Sequence, residues 1–545
     1  MAINNDDHDS HTHAGSCFVC EGETRRSNDV EAPTSTKRRI FLKGAVAAPI
    51  LASPLAALAQ GQSSNAPGRG PAGNPGRGRQ QVPAGPFVVN AGWALVEEYG
   101  EPQLVRDVSI LVRDGLIEEV RKGDIAGFRK LDARGQLVVP GFISGHTHAC
   151  SATPTRGIIE VGRSFARPLE LVEKLSDDEM DALTAFNVAE LLLGGSTTHV
   201  EQSLSLRQAK SYVRVARRWG VRGYPGGMVP GIARLFPIWF RADDQALFDS
   251  VPETLEEIQA NLEFARTING IENGRILPQM APHATDTQTP ETMTAIAAAA
   301  AELGHGIHIH LSQSAGETAT VRRLWGKTPA QWCEQFGFYD GPFFGAHMSG
   351  LDFVVDPPVL NAGGAVYSHC PSAGGAGGGT QPYPEALGAN MNVNIGIDTH
   401  SNDFVENLKL SVLYGQARFA LLQNSSDVPL RRPTMWDSIR GATTVAADGL
   451  GRPDLGRITF GAKADLVGID VSGPLVGTGA LPPEPLSNLL YAHGKSVRLV
   501  ITDGNVQIMD GEFLSEDLDS VARQGGEVVQ HIWDELEAEG FFDLP

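Results

Sequence analysis

The stretch Val139-Pro-Gly-Phe-Ile-Ser-Gly-His-Thr-His148 joins a run of mainly apolar residues to a His-x-His pair. Its first part is typical of a buried strand. Side chains two residues apart on a strand point to the same face, so His146 and His148 can reach one point. A His-x-His pair alone is weak evidence, because many strands simply end in polar residues. The residues that end the other strands therefore decide its meaning.

Further apolar runs follow this one, with helical patterns between them. Residues 178–193 have helical periodicity with acidic residues at the start, and residues 290–303 are rich in alanine. This alternation predicts parallel strands joined by crossover helices. The eight predicted strands end near His148, Glu201, Met228, His283, Gln313, Ser349, Pro371 and His400. Eight such repeats predict an α/β fold, the (β/α)8 TIM barrel, with its chemistry at the carboxyl ends of the strands.

Short strands also flank the barrel region on both sides. They are predicted at residues 87–90, 108–112 and 116–120 before it, and at 464–469 and 499–509 after it. We expect them to form one small β-sandwich built from both flanks of the chain. The expected organisation is a composite β-sandwich from 86–138 and 455–515, a barrel over 139–454 and a C-terminal helical segment over 516–545.

The N-terminal region is predicted to be a twin-arginine signal peptide with an extension, over residues 1–59. Lys37–Lys43 contains the arginine pair, an apolar stretch follows, and Ala57–Ala59 supplies small residues for cleavage. A membrane anchor is disfavoured, because the apolar stretch is short and interrupted by prolines. We expect recognition by the twin-arginine export machinery and a periplasmic or secreted location. Residues 60–85, rich in Gly, Pro and Arg, are expected to be a disordered linker.

The composition argues against several kinds of partner. The 545 residues carry a formal net charge of −20 spread along the chain, which argues against nucleic acid. No apolar run in the body of the chain reaches the roughly 18–20 residues that span a bilayer, so stable membrane insertion is not expected. The five cysteines do not form a disulfide framework. A small-molecule substrate is compatible with this composition.

Histidines and one aspartate end other strands of the predicted barrel. His310 ends the fifth strand, His347 the sixth and Asp398 the eighth. Imidazole and carboxylate groups together make a good site for a divalent metal and leave room for water. Chance is a poor explanation once all of these residues occupy the same rim of one barrel.

The sequence resembles the amidohydrolase superfamily, in the branch that contains cytosine deaminase-like enzymes, S-adenosylhomocysteine deaminase, guanine deaminase and atrazine chlorohydrolase. The resemblance extends from about Phe87 to Ser515. Together the matching motifs are far more specific than one short pattern. They are Pro140-Gly-Phe-x-x-x-His-x-His148, Ala281-Pro-His283, His310-Leu-Ser312, Ala346-His347, Ser368-His-Cys-Pro371, Gly396-Ile-Asp398 and the segment 456–467.

The resemblance implies a metal-dependent hydrolase acting on carbon–nitrogen bonds other than peptide bonds. Its motifs assign His146, His148, His310 and Asp398 to one divalent metal ion per subunit, with zinc preferred and iron as the alternative. A bound metal lowers the pKa of water from about 15.7 to near 7, so hydroxide is available at neutral pH. Asp398 can take the proton of that water and later give it to the leaving group.

The resemblance also assigns residues around the metal. His347 would orient the attacking water or the reacting oxygen of the substrate, and His283 and His369 would line the substrate pocket. The binuclear members of the superfamily bridge two metals with a carboxylated lysine, and no lysine lies near the end of the predicted third or fourth strand. His199 and Glu201 offer a second site in principle, but Glu201 is better interpreted as a polar group serving the pocket or the second shell. Related enzymes are often dimers or larger, so a homo-oligomer is left open.

One position departs from the deaminases of this branch. They carry a glutamate three residues after the fifth-strand histidine, which protonates the ring nitrogen beside the carbon under attack, and here that residue is Gln313. An amide donates a hydrogen bond but does not deliver a proton at neutral pH. Glu317, four residues further on, is the candidate replacement, with a surface position as the equal alternative. Both residues are retained as candidate substrate-binding groups.

Hydrolysis of an amide or cyclic amide needs no such acid. Asp398 acts first as base and then as acid, while the metal and His347 stabilise the oxyanion. The sequence therefore favours hydrolysis of an amide or cyclic amide of a small molecule. The alternative is a deaminase or dehalogenase of a heterocyclic substrate, with Glu317 in the role of the missing acid. A second alternative is a catalytically impaired, metal-containing binding protein, which only Gln313 favours.

Two loops complete the predicted pocket. Leu235–Arg241, after the third strand, is a candidate apolar wall with a cation, and His400 is a candidate extra pocket group. The run Ala373–Gly379 permits close approach of the backbone and offers few side-chain contacts. Cys150 and Cys370 are interpreted as small buried groups near the site and not as nucleophiles.

Overall fold

The computed structural model describes residues 85–543 of the chain. The predicted signal peptide, and all of the predicted linker except its last residue, lie outside the described residues. Within the described range, no helix is both long enough and apolar enough to cross a bilayer.

Residues 85–543 contain sixteen strands in three hydrogen-bonded sheets. The strands are β1 (Phe87–Glu98), β2 (Glu101–Arg113), β3 (Leu116–Lys122), β4 (Arg129–Pro140), β5 (Phe142–Thr147), β6 (Ser196–Ser203), β7 (Arg222–Val229), β8 (Ala281–Pro282), β9 (Ile307–Leu311), β10 (Phe343–His347), β11 (Val366–His369), β12 (Asn392–Ile395), β13 (Leu466–Asp470), β14 (Val497–Thr502), β15 (Asn505–Met509) and β16 (Glu512–Phe513).

The same range contains eighteen α-helices, together with short 3₁₀ turns and a π-helical segment at Gly441–Val445. The helices are α1 (Ala166–Lys174), α2 (Asp177–Leu193), α3 (Leu206–Trp219), α4 (Ile232–Trp239), α5 (Gln245–Asp249), α6 (Val251–Ile268), α7 (Ile271–Gly274), α8 (Pro290–Leu303), α9 (Ala315–Trp325), α10 (Pro329–Gln335), α11 (Asp356–Ala362), α12 (Pro371–Ala376), α13 (Tyr383–Gly388), α14 (Phe404–Leu422), α15 (Met435–Arg440), α16 (Ala446–Gly449), α17 (Pro485–Asn488) and α18 (Leu518–Ala538).

Strands β5 to β12 form the barrel. Strands β5 to β8 pair in parallel in chain order, and so do β9 to β12. Backbone bridges from Met280 to Ile307 and from Ala284 to His310 join β8 to β9. A further bridge, between Thr147 and Asp398, joins the segment after β12 to β5. Eight parallel strands therefore close into a ring, which confirms the predicted (β/α)8 barrel.

The predicted strand ends agree with the structure to within a few residues. The largest difference is at the eighth strand, because β12 ends at Ile395 and not near His400. The backbone after Ile395 is irregular but still paired, and the Ile397 N–H donates to the carbonyl oxygen of His146 at 2.9 Å. The chain from Ile395 to Asp398 thus reaches the site without the regular hydrogen bonding of a β-strand.

Local sequence signals explain the bounds of the two helices that periodicity predicts, α2 and α8. At the start of α2 the Ser176 hydroxyl accepts from the Glu179 N–H, and the Glu179 side chain accepts from the Ser176 N–H. This reciprocal capping box satisfies amide groups that a helix start otherwise leaves free. Gly304, with a φ of +76°, ends α8 in the left-handed conformation that favours glycine.

The strands from the two flanks join into one eight-stranded sheet, in the order β16-β15-β14-β13-β4-β1-β2-β3. Its joint is the antiparallel pairing of β13 with β4, where Leu466 lies opposite Pro140. The edge strand β3 returns to the segment before β13, since the Ile117 N–H donates to the carbonyl oxygen of Ala462 at 2.8 Å. The strands of both flanks therefore form one unit, a single eight-stranded sheet that closes around an apolar core including Val89, Ile110, Leu131, Leu466 and Ile501.

The last helix, α18, packs against α2 on the outside of the barrel. Val528, Val529 and Ile532 of α18 share an apolar cluster with Met180 and Leu183 of α2. The indole N–H of Trp533 also donates to the carbonyl oxygen of Pro154 at 3.0 Å. The end of the described chain therefore supports the first βα segment of the barrel, which carries two of the candidate metal ligands.

Candidate active site

Four histidines and one aspartate meet at the carboxyl end of the barrel. The ring centroids of His146 and His148, at the end of β5, are 4.6 Å apart. His310, from β9, lies 4.9 Å from His146 and 5.3 Å from His347 of β10, centroid to centroid. All four imidazoles are buried. Strands far apart in the chain thus place these side chains around one point.

Asp398 completes the cluster from the irregular segment after β12. Its backbone N–H donates to the carbonyl oxygen of His146 at 3.1 Å, and its φ is +65°. Oδ1 lies 3.7 Å from Nε2 of His146 and 3.4 Å from Nε2 of His148. Oδ2 lies 3.6 Å from Nε2 of His347. The carboxylate therefore faces three imidazoles at once.

Hydrogen bonds at Nδ1 orient two of the rings. His148 Nδ1 lies 2.5 Å from the carbonyl oxygen of Gln202, and His310 Nδ1 lies 2.8 Å from that of His283. A carbonyl oxygen only accepts, so both Nδ1 atoms carry the proton. The Nε2 atoms of His148 and His310 therefore keep a free lone pair directed at the cluster, as metal ligation requires.

The third ring is oriented by His308, a residue that the sequence analysis missed. His308 is buried, and its Nε2 lies 2.8 Å from Nδ1 of His146. It precedes His310 by two residues on β9, so it points to the same side of the strand one step deeper in the barrel. The second His-x-His spacing in this sequence was the signal that could have revealed it.

The cluster fits a divalent metal. The ligand atoms of His146, His148 and His310 lie within 4.8 Å of one another, and so do those of His146, His347 and Asp398. Nε2 of His146 and Nε2 of His347 are buried and have no hydrogen-bond partner among the described residues. Buried polar atoms are normally satisfied, so a bound group is expected next to each of these two nitrogens. Imidazole and carboxylate are donors that suit zinc and similar divalent ions.

Burial sets the protonation states of the cluster. It lowers the pKa of His146 to about 3 and lowers the pKa values of His148 and His310 from their usual range, so these rings are neutral at pH 7. Burial alone would raise the pKa of Asp398, but His146, His347 and His148 together hold it below its usual range. Neutral imidazoles and an ionised carboxylate are the forms that bind metal.

Glu201 supports the His-x-His segment from behind. Its carboxylate accepts from the Thr147 hydroxyl at 2.6 Å and from the Ala149 N–H at 3.1 Å. Burial raises the pKa of Glu201 to about 7. His199 takes no part in the cluster, because its Nδ1 lies 3.1 Å from the Tyr212 hydroxyl. Glu201 therefore lies behind the ligands, in agreement with its interpretation as a supporting group.

Gln381 is the second residue that the sequence analysis missed. Its Oε1 accepts from the backbone N–H of Cys370 at 2.8 Å, which fixes the orientation of the amide. Its Nε2 therefore donates to Nδ1 of His347 at 3.1 Å, and its Oε1 accepts from Nδ1 of His369 at 3.0 Å. His347 consequently carries its own proton on Nε2, the atom that faces Asp398. No periodicity marks Gln381, because it follows the glycine-rich run in an irregular segment.

The glycine-rich run lets Gln381 reach these histidines. Part of it forms the short helix α12. Ala373 and Gly374 line a cavity that opens beside the cluster of histidines. A Cβ atom at Gly374 would lie 3.0 Å from Cγ of Gln381. The absence of a side chain there permits the close approach that the sequence predicts.

A cavity opens beside the cluster, and several predicted pocket residues line it. His283, Gln313 and His400 are lining residues, and Nδ1 of His400 lies 3.1 Å from a Glu160 carboxylate oxygen. His369 lies behind the cavity, where it stacks on Tyr383 with ring centroids 4.7 Å apart. His369 thus reaches the site only through Gln381.

Glu317 does not line this cavity. It is the third residue of α9, whose N-cap is Ser314, and it is buried. Its carboxylate accepts from the backbone N–H groups of Gln313 at 2.6 Å and Thr285 at 3.2 Å. A glutamate at this position of a helix reaches back to free amides, and these contacts turn it away from the substrate. The structure therefore does not bring Glu317 to the place of the missing acid.

The loop after the third barrel strand forms an apolar wall, as predicted, but without the cation. Leu235 and Trp239 of α4 line the cavity. The Arg241 side chain is buried elsewhere, where it donates to the carbonyl oxygen of Ile238 at 2.9 Å and pairs with Asp244 at 3.3 Å. The prediction of a cation on this wall is wrong, because Arg241 forms an ion pair with Asp244 instead.

The two cysteines near the site are buried and free. Burial raises the pKa of both thiols, Cys150 and Cys370, well above the usual range. Such thiols are protonated at neutral pH and poorly nucleophilic. This agrees with their interpretation as small buried groups.

Comparison with known proteins identifies the family. The model of the amidohydrolase family matches residues 137–506. The 5-methylthioadenosine/S-adenosylhomocysteine deaminases of Desulfitobacterium hafniense and Symbiobacterium thermophilum are 26% and 28% identical to this chain, over 72% and 71% of it and 86% of each relative.

Solved structures show the same fold. An adenosine deaminase from Xanthomonas campestris with bound zinc is 20% identical, with a TM-score of 0.66 over 82% of this chain and 98% of its own. Atrazine chlorohydrolase from Arthrobacter aurescens, complexed with zinc, is 22% identical, with a TM-score of 0.69 over 81% of this chain and 100% of its own. Since the family model spans more than half of the sequence, the chain belongs to the amidohydrolase family of metal-dependent hydrolases.

Proposed function

We propose that this protein hydrolyses a C–N bond of an amide or cyclic amide in a small molecule, with one zinc ion per subunit and iron as the alternative ion. One observation carries the proposal. The Asp398 carboxylate lies within 3.7 Å of the imidazoles around it, whereas the residue at the acid position of the deaminases is the amide Gln313. The site thus has a base beside the candidate metal ligands and no second acid at the substrate.

His146, His148, His310 and Asp398 would hold the metal. When bound there, a divalent metal supplies the Lewis acidity that makes water acidic near neutral pH. The choice of zinc is supported by the donor set and by the zinc in the two solved structures compared above.

The roles of the protein groups follow from their protonation states. Asp398 is ionised before the reaction, so it accepts a proton from the attacking water. His347 carries a proton on Nε2 and donates a hydrogen bond to the oxygen that gains negative charge. Asp398 then returns its proton to the leaving nitrogen, and water plus amide becomes acid plus amine.

The alternative, deamination or dehalogenation of a heterocycle, is favoured by a different observation. The relatives compared above are named as deaminases and as a chlorohydrolase. That reaction needs a proton donor at the ring, and the only candidate from the sequence is Glu317. Its carboxylate is instead occupied by the amides of Gln313 and Thr285. In the alternative, Glu317→Gln abolishes turnover, whereas in our proposal it leaves kcat within about tenfold of the wild type.

The first experiment combines metal analysis with a substrate panel. We expect about one equivalent of zinc or iron per chain, and turnover of amides or lactams in preference to amino- and chloro-heterocycles. Asp398→Asn should lower kcat/KM by about 10³-fold or more, because both proton transfers lose their carrier. The matched control is Asp356→Asn, a buried aspartate outside the site that accepts from Thr328. Metal-free protein, or turnover that survives Asp398→Asn, would overturn the mechanism.

We also propose that the protein is exported through the twin-arginine pathway to the periplasm or beyond. The support is the Lys37-Arg-Arg-Ile-Phe-Leu-Lys43 segment and the apolar stretch behind it. Replacing both Arg38 and Arg39 with Lys should retain the full-length protein in the cytoplasm. Cell fractionation with antibody detection measures this, and unchanged export of that variant would overturn the proposal.

A further inference from the structure

The cavity beside the candidate metal ligands has one apolar side. Three parts of the chain build it: the start of α1, the ends of β6 and β7 with the residues that follow them, and one face of α4. The residues of this apolar wall are Phe165, Leu169, Leu204, Met228, Ile232, Leu235 and Trp239. They lie at the end of β7 or in the segments after β5, β6 and β7, on the side of the barrel that carries His283.

Packing fixes the apolar wall in place. The Ile232 N–H donates to the carbonyl oxygen of Leu204 at 2.8 Å, which ties the start of α4 to the end of β6. The Trp239 ring lies edge-on to His283, with centroids 4.7 Å apart, and 6.1 Å from Phe165. Leu235 is 2% exposed. A wall held on these elements offers a surface of fixed shape to the substrate.

The apolar wall of the cavity offers no charged side chain to a substrate. Among the described residues that line it, none is Lys, Arg or Glu, and Asp398 is the one carboxylate. A substrate carboxylate or ammonium placed against the wall would lose its hydration and gain no partner, which is costly.

Two arginines from the segments around the cavity are paired with carboxylates. Arg241 pairs with Asp244 and with a backbone carbonyl, as described above. Arg156 pairs with Glu190 at 2.6 Å and donates to the carbonyl oxygen of His400 at 3.1 Å. It lies in a separate charged groove beyond His400, together with Glu160 and Lys495. These charged side chains are thus not among the residues that line the reaction cavity.

We propose that the substrate is an uncharged molecule with an aromatic or branched alkyl group near the scissile bond, and that this group packs on the apolar wall. The proposal rests on the proposed C–N hydrolysis for the identity of the bond. The class of molecule follows separately, from the composition of the wall. Burying such a group there is favourable, whereas burying a charge is not.

The test uses two pairs of probes and the zinc-loaded protein. The substrate pair is phenylacetyl-4-nitroanilide and its 4-carboxyphenylacetyl analogue, which differ by one carboxylate. The second pair, phenylacetohydroxamate and its 4-carboxy analogue, binds zinc whatever bond the enzyme cleaves, and calorimetry measures its affinity. We expect the uncharged member of each pair to be preferred by at least about 30-fold, in kcat/KM and in Kd respectively.

A variant with a cation on the wall should reduce the preference. Trp239→Lys adds a cation to the wall and should move both ratios at least about tenfold toward the carboxylate probes. Phe248→Lys is the matched control, because Phe248 is an aromatic residue outside the cavity with 43% exposure. It should leave both ratios at their wild-type values.

The outcomes separate this inference from the proposed function. If neither anilide is hydrolysed but the uncharged hydroxamate is still preferred, C–N hydrolysis of amides fails and the substrate class stands. If the anilides are hydrolysed at rates within threefold of each other, the substrate class fails and the chemistry stands. Equal hydroxamate affinities, or no binding of either hydroxamate, also overturn the substrate class.

Discussion

Among single residues, Gln381 acts on the candidate site through His347. It does not touch the candidate metal ligands His146, His148 or His310, but its amide determines which nitrogen of His347 carries the proton. The amide donates to Nδ1 of His347 while it accepts from the Cys370 N–H. A carboxylate at the same position accepts from both.

We predict that Gln381→Glu lowers kcat at least tenfold and changes KM less than threefold. The glutamate draws the His347 proton to Nδ1, so Nε2 no longer donates to the oxyanion. Steady-state kinetics measure the split, and ¹⁵N NMR of the imidazole nitrogens reports the tautomer. Gln416→Glu is the control, since Gln416 makes its contacts with Pro433 and Arg432, away from the site. A parallel rise in KM, with the tautomer unchanged, would contradict the role.

Glu201 gives a prediction about metal affinity. Its carboxylate accepts from groups on either side of His148, so Glu201→Gln replaces one acceptor with a donor that faces a backbone N–H. Loss of such a supporting contact typically weakens metal binding by about 10- to 100-fold. Competition with a zinc chelator measures this affinity. An unchanged zinc Kd in Glu201→Gln would show that the His-x-His segment holds its shape without that carboxylate.

At the level of secondary structure, the strands are more predictable than the segments between them. A barrel strand is a short apolar run with a polar end, so the sequence predicts both its existence and the residues at its rim. The residue at which a helix starts depends on its N-cap residue. That starting point sets the direction of the side chains in the first turn. Ser314 begins α9 just after Gln313, which places Glu317 over free amides and not in the cavity. The ion pair between Arg241 and Asp244 is equally local, and no periodic pattern in the sequence predicts it.

The start of α9 also makes stability depend on pH. Burial raises the pKa of Glu317, and the nearby Asp286 carboxylate raises it further. Above the ordinary carboxyl range of about pH 4 to 5, the unfolded chain has lost a proton that the folded protein keeps. Stability therefore falls as the pH rises from there toward the raised pKa.

We predict that Glu317→Gln flattens this dependence. Between pH 5 and pH 9 the wild-type Tm should fall by at least about 3 °C more than the Tm of Glu317→Gln, which has no proton to lose. Differential scanning calorimetry across that range measures the difference. Glu263→Gln, an exposed change on α6, should follow the wild type. Parallel curves for wild type and Glu317→Gln would show that the carboxyl group is ionised throughout.

For the whole molecule, the barrel and the flanking sheet are joined by a buried ion pair. Arg222, at the start of β7, is 1% exposed and pairs with Asp465, just before β13, at 2.9 Å. Neither the hydrophobic pattern nor the motifs of the sequence predict this contact, because it joins residues 243 positions apart. Long-range pairs of this kind become visible only once the fold is known.

We predict that Arg222→Met lowers the free energy of unfolding by about 3–5 kcal/mol, because it leaves Asp465 charged, buried and short of its partner. Adding Asp465→Leu should recover much of that loss, because both charges are then gone. Urea unfolding at pH 7 measures both variants. The exposed pair of Arg266 and Glu302 provides the contrast, and Arg266→Met should leave the urea midpoint nearly unchanged. A double variant as unstable as the single one would contradict the explanation.

A backbone hydrogen bond joins Asp398 to His146. The complete set of candidate metal ligands therefore forms only if the chain is intact from β5 to the segment after β12. The first and last candidate ligands, His146 and Asp398, meet only where the ring of strands closes. A chain that stops before β12 would therefore have the first His-x-His pair and His310 without the carboxylate of Asp398. Ordering so long a loop is entropically expensive and comes late in folding. If the site holds one zinc ion as proposed, a chain that lacks the segment after β12 should keep less zinc through gel filtration than the complete chain, even where the two elute at similar volumes.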